Sequence, residues 1–337
     1  MLSIYDDQLP EGLLDCPAQR LHEVLPGPAL IHLSGRRAAP LFISVLLHGN
    51  EPTGWEAVRA LLSSHAGGTL PRALSLFIGN VAAAREGRRH LDGQPDYNRI
   101  WKVNGARAEH AMVREVLEVM RARAPFASID IHNNTGRNPH YACINRLDAR
   151  FQHLATLFSR TVVYFLKPDS VLSMAFAGLC PSVTVECGKP GEPYGAAHAL
   201  EFLKAALNLA ELPQHSVAAH DIDLFHTVAV VKVPVHLSVG FGAAESDVVL
   251  AGDIDELNFR ELPAGTRLGW TSRPDCDALQ AWSEDGVDLG TRYFACREGE
   301  IRTRTPLMPS MLTLDAQIIR EDCLCYLMER LDAPAAP

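Results

Sequence analysis

Between residues 41 and 210, short apolar runs alternate with amphipathic stretches, and this alternation limits the fold more than any other feature. The strand-like runs are Leu41–Leu47, Leu74–Ile78, Ser128–Ile131, His140–Ile144, Thr161–Leu166 and Ser182–Glu186. Met112, Val113, Val116, Leu117 and Met120 form an apolar stripe at helical spacing, and Phe202, Leu203, Ala206 and Leu207 form another. Strands alternating with helices imply an α/β fold whose sheet is largely parallel and flanked by helices.

The pattern changes near Leu212-Pro213. The following stretch, "FHTVAVVKVPVHLSV", is rich in valine and has no helical period. Pro234 within it marks an edge strand or a break between strands. The short, turn-punctuated runs "DVVLAGD", "RLGW" and "TPLMPSMLTL" follow. The expectation is two domains: residues 1–212, and a smaller β-rich domain at 213–337.

Three of the core strands end in polar residues. Leu41–Leu47 runs into His48 with Glu51, "SIDIHNNTG" ends its strand at His132, and "SVTVECGKPG" at Glu186. In open α/β sheets ligands bind outside the carboxyl ends of strands, so all three ends could share one rim. Two imidazoles and a carboxylate suit a catalytic zinc, leaving a position open for water. His48 and Glu51 sit three apart on a loop entering a helix, and His132 comes from another strand, unlike HExxH. Alone, HxxE is a weak signal: His48 also reads as a core histidine and Glu51 as a helix-start carboxylate.

Composition removes other classes. The formal charge of -9, with no Lys/Arg block, argues against a nucleic-acid partner. No apolar run approaches about 18 residues, so no membrane span is expected. The start, "MLSIYDDQLPEGLLD", does not read as a signal peptide. The eight cysteines lack a CxxC pair and read as buried free thiols, which suggests a cytoplasmic protein. "GDIDEL" lacks calcium-loop spacing, and "CGKPG" is not a phosphate loop.

"HGNEPTG", "GNVAAAREGRRHLDGQPDYNRIW", "DIHNNTG" and "TVECG" occur in that order. Together they resemble the succinylglutamate desuccinylase/aspartoacylase family of carboxypeptidase-A-like zinc hydrolases. The resemblance implies a carboxypeptidase-like mixed sheet flanked by helices, with a smaller C-terminal β-rich domain capping the active site. It implies one Zn2+ per chain, held by His48, Glu51 and His132. Glu186 matches the general base and Arg89 the arginine facing the substrate carbonyl. Asn98 and Arg99 match the pair that binds a substrate carboxylate. Tyr293 matches a tyrosine lent by the C-terminal domain, with Phe294 the alternative one residue on. Asp130 and Asn133 are expected behind the ligands, and Arg85 near the site.

The implied activity is deacylation of a small N-acyl amino acid. A carboxypeptidase-like enzyme acting on a short peptide shares every one of these residues, and a non-catalytic metal-binding module needs only the three ligands. A homo-oligomer is compatible with all three. Two departures bear on the substrate. "LDGQPDYNR" is longer than the family's usual stretch, and "SVLSMAFAGLCPSVTVE" lacks the arginine with which aspartoacylases grip the aspartate side chain. Met174 and Phe176 make that segment apolar, which points to an amino acid with a less acidic side chain.

Overall fold

The computed structural model describes residues 1–102, 105–273 and 277–331. The chain divides into two compact units. The first comprises Met1–Asn133 and His140–Leu224, and the second Asn134–Pro139 and the described residues from Phe225 on.

The first unit is built on a mixed sheet. Its strands are β1 (Ser3–Asp6), β2 (Ala29–Leu33), β3 (Leu41–Val45), β4 (Leu74–Ile78), β5 (Ala127–His132), β6 (Tyr141–Ile144), β7 (Thr161–Tyr164) and β8 (Ser182–Glu186). They are ordered β1-β2-β4-β3-β5-β8-β6-β7. The central strands β4, β3, β5 and β8 are parallel, whereas β2 pairs antiparallel with β4 and β6 antiparallel with β8. Every residue of β3, β4, β5 and β8 is buried, as parallel strands covered on both faces require.

The two faces of this sheet differ in kind. One presents Ile43, Val45, Ile129, Ile131, Val183 and Val185. Helix α1 (Thr53–Ser64) lies on it so closely that a Cβ on Gly54 would stand 3.0 Å from both Ile131 and Val45. The other presents Phe42, Ser44, Ser128, Asp130, His132, Ser182, Thr184 and Glu186, because register partners share a face. Helices α2 (Val81–Glu86), α3 (Ala108–Arg123), α4 (Ala149–Thr156), α5 (Leu172–Phe176) and α6 (Pro193–Asn208) complete the unit. The stripe Met112, Val113, Val116 and Met120 of α3 joins Phe42, Phe77, Trp101 and Phe176 in one apolar cluster on the polar-row side. Phe176 stacks on Phe42 at 4.2 Å between ring centroids. Phe176 is therefore a core residue, turned onto the sheet by α5.

In the second unit, Phe225–Lys232 of the strand Asp223–Lys232 pairs antiparallel with Gln280–Ser283 and Cys325–Arg330. It stops two residues before Pro234, which has no N–H to continue a ladder. A five-stranded sheet holds Val239–Phe241, Val248–Leu250, Arg267–Thr271, Glu300–Thr303 and Phe294–Arg297. Val231, Leu250, Ile254, Ile301 and Leu327 belong to the core of this unit. No described helix is long and apolar enough to cross a membrane.

The cysteine expectation needs correcting. Cys16, Cys143, Cys180, Cys187, Cys323 and Cys325 are free and buried, but Cys296 is disulfide-bonded. The spacing of the cysteines carried no sign of the bond, because disulfide partners are adjacent in space rather than in sequence. Cys276 lies outside the described residues.

Candidate active site

The polar rim begins with a strained turn. Leu46, directly after β3, is buried with φ of 58°, a left-handed conformation costly for a bulky side chain. Its carbonyl accepts from Asn80 N–H at 2.6 Å, which ties the turn to the start of α2. Gly49 follows, where a Cβ would fall on the backbone of Ala83 and Ala84. These two residues bring His48 and Glu51 over the end of the sheet.

There the two oxygens of Glu51 each face an imidazole. Oε1 lies 2.8 Å from His48 Nδ1 and Oε2 lies 2.7 Å from His132 Nδ1. One donor atom from each of the three residues falls within 4.8 Å of the others, and all three side chains are buried. The outer nitrogens each meet a carboxylate: His48 Nε2 is 3.0 Å from Asp96 Oδ1, and His132 Nε2 is 2.8 Å from Asp130 Oδ2. Asp130 and His132 are two residues apart on β5 and so share a face, which is how Asp130 reaches the ring.

This donor set fits a divalent cation. Burial and Arg89 pull the His48 pKa down, but Glu51 and Asp96 outweigh them and raise it. His132 is raised further by Asp130 and Glu51 against burial. Burial raises the carboxylate of Glu51, yet His48 and His132 prevail and hold it low, and Asp96 is held well below its usual range by His48 and Arg89. Buried imidazoles among carboxylates hold protons that a metal ion displaces on binding. A carboxylate behind each imidazole is the arrangement that orients metal-ligating histidines.

Arg89 donates from Nε to Asp96 Oδ2 at 3.0 Å, and its Nη1 stands 3.9 Å from Glu51 Oε1. The adjacent Arg88 pairs instead with exposed Asp92. Arg85 is exposed and pairs with Glu86. The long loop before Asp96 is pinned by Gln94, whose Oε1 accepts from Asn80 Nδ2 and Leu91 N–H. Asn98 takes a defined orientation: its Oδ1 accepts from Leu172 N–H at 2.9 Å, which turns its amide nitrogen toward His132 Nε2 at 3.2 Å. Arg99 Nη1 donates to Asn98 O at 3.0 Å. Asn133 donates its N–H to Glu51 Oε2 and its amide to Gly188 O, and accepts from Thr53 N–H.

Glu186 ends β8 directly beside His132 in register, on the same face, and is buried. Burial, with Glu186 adding, pushes the Cys143 and Cys187 thiols up. Tyr293 lies in the second unit, buried at the end of the short helix Gly290–Tyr293, with Phe294 opening the next strand.

Residues 38–212 match the succinylglutamate desuccinylase/aspartoacylase catalytic domain family. The chain belongs to this family. It is a deacylase family, and the sequence resemblance drawn from four motifs stands. The chain is 34% identical over 97 residues to a succinylglutamate desuccinylase from Burkholderia lata, a match that spans 28% of this chain and only 26% of that relative. A succinylglutamate desuccinylase structure from Vibrio parahaemolyticus superposes with a TM-score of 0.60 at 13% identity, covering 90% of this chain and 86% of that one. Murine aminoacylase 3 superposes with a TM-score of 0.55 at 14% identity, covering 88% and 97%. At these identities the two structures establish the shared fold. The expected α/β architecture with a separate β-rich C-terminal part is the one found.

Asp96 is the site residue that sequence reading missed. It lies two residues before Asn98 in "DYNR", and its two oxygens serve His48 and Arg89. An acidic residue next to a pair read as carboxylate-binding was the available signal.

Proposed function

We propose that this chain is a zinc-dependent amide hydrolase that removes the acyl group from a small N-acyl amino acid. The observation that carries the reading is the convergence of His48, Glu51 and His132 donor atoms within 4.8 Å beside Glu186, in a member of a deacylase family. These three side chains would hold one zinc per chain. When bound, the ion supplies Lewis-acid chemistry: it makes water acidic near neutral pH and polarises a carbonyl.

The remaining steps belong to the protein's own groups. Glu186 takes a proton from the attacking water and returns it to the leaving nitrogen. Arg89, anchored by Asp96, stabilises negative charge as it develops on the carbonyl oxygen. Arg99 offers a planar fork to the substrate carboxylate. Asn98 joins it through its amide. With its Nδ1 toward Glu51 and unprotonated, His132 donates from Nε2–H to Asp130. The Asn98 amide N–H then has no acceptor on that ring and is left to donate to substrate. A cytoplasmic setting goes with this reading and is supported by the six buried thiols that are free among the described residues, with the Cys296 disulfide weighing against it.

The test is Glu186→Ala, assayed on parallel panels of N-acyl amino acids and short peptides. Loss of turnover with zinc retained supports the reading. Unimpaired turnover refutes the role of Glu186, and turnover of peptides alone makes the enzyme a peptidase.

A further inference from the structure

The polar face of the central sheet carries a group of hydroxyls that the chemistry above does not use. Ser44 on β3, Ser128 on β5, Ser182 on β8 and Ser173 on α5 are each 0% exposed. Their Oγ atoms have no hydrogen-bond partner among the described residues, and neither does Oδ1 of Asp130, also 0% exposed. These five residues belong together. Ser44 stands opposite Asp130 in the strand register, and Ser128 opposite Ser182. Ser128 is two residues before Asp130, and Ser182 two before Thr184, so all lie on one face. Helix α5 packs over β5 and β8 on that face: Phe176 stacks on Phe42, the register neighbour of Ser128, and Ser173 lies one turn earlier in the helix.

Buried polar atoms without partners are costly, and native proteins hold few of them, so four hydroxyls and a carboxylate oxygen in one region call for a partner. Side-chain size points the same way: Ser44, Ser128 and Ser182 are small where the opposite face carries Ile and Val. Ordered water is the partner such buried polar groups take in native proteins, each molecule bonding two to four of them.

We propose that Ser44, Ser128, Ser173 and Ser182 enclose a buried water cluster that completes the hydrogen bonding of Asp130 Oδ1. The cluster fixes the Asp130 carboxylate, and through its other oxygen, 2.8 Å from Nε2, the ring of His132. The serines are thus positioning residues acting through Asp130. Only this last step rests on the zinc reading.

A high-resolution crystal structure of the full chain tests the cluster: waters bonded to the serine hydroxyls and Asp130 Oδ1 are expected, and a dry space overturns it. Melting of chelator-treated protein gives an independent sign. Ser44→Ala and Ser182→Ala should each lower Tm by about 2–4 °C if the hydroxyl anchors water. A rise in Tm, as expected on removing a dry orphan, refutes the proposal. Positioning is read by chelator competition: Ser182→Ala should weaken zinc about threefold or more in the native background and have no added effect beside Asp130→Asn. Full additivity, or no effect, removes the link to His132. If the wild-type chain binds no zinc, the function proposed above fails, while the crystallographic and melting results still decide the cluster.

Discussion

Asp96 joins two parts of the proposed machinery, so Asp96→Asn is the sharpest single perturbation. Oδ1 faces His48 Nε2 at 3.0 Å and accepts Asn98 N–H at 2.7 Å. Oδ2 receives Arg89 from Nε at 3.0 Å and from Nη2 at 2.8 Å. An asparagine keeps one oxygen. If that oxygen stays with His48 and Asn98, its NH2 group confronts the Arg89 guanidinium, donor against donor. Two charge-assisted bonds are lost, and hydrogen bonds to charged groups are worth about 1.5–3 kcal/mol each. His48 also loses its charged acceptor, which at metal sites costs about 10–100-fold in affinity, or roughly 1.4–2.7 kcal/mol. The expected outcome is zinc affinity weakened by that factor and kcat/KM reduced by about 10²-fold or more as Arg89 leaves its station. Chelator competition and steady-state kinetics on the same preparations measure both. Asp92→Asn is the control: it breaks the exposed pair with Arg88 and should change neither quantity. Zinc affinity and kcat/KM within about threefold of wild type in Asp96→Asn would refute the coupling.

Gly49→Ala should destabilise the protein by about 3 kcal/mol, because its Cβ meets backbone that cannot move aside; urea unfolding reads this, and a loss below about 1 kcal/mol contradicts the packing. His32 gives a pH dependence. Burial, with Arg123 adding, lowers its pKa to about 4, and its Nδ1 is bonded to Ser75 Oγ at 2.8 Å. The unfolded chain takes up this proton below about pH 6.5 and the native protein only near 4. The contribution is therefore complete above about pH 6.5 and lost as pH falls toward 4, on the order of 2 kcal/mol in all. His32→Gln should flatten the difference in unfolding free energy between pH 7 and pH 5, and an unchanged slope rules His32 out.

Local pattern made the strands with the ligands readable. His48, His132 and Glu186 each follow a run of apolar residues, so the break in polarity marked the strand end. Asp96 lacked such a frame: it sits in a loop, with no period to place it against His48. The short β1 was also illegible, since "SIYD" alternates in burial over only four residues and gains its strand character from pairing with β2. The place of Phe176 was also hidden, because an apolar residue near a site can face either core or ligand, and only the rotation of α5 decides. The serines were hidden for a related reason. Ser44 inside "LFISV" interrupts nothing in an apolar count, and only the register of three strands gathers it with Ser128 and Ser182.

The central claim is that His48, Glu51 and His132 form a zinc site. Elemental analysis of the purified protein beside a His48→Ala variant tests it most directly. The account predicts about one zinc per wild-type chain, lost in the variant. No metal in either protein, even after dialysis against zinc, would contradict it.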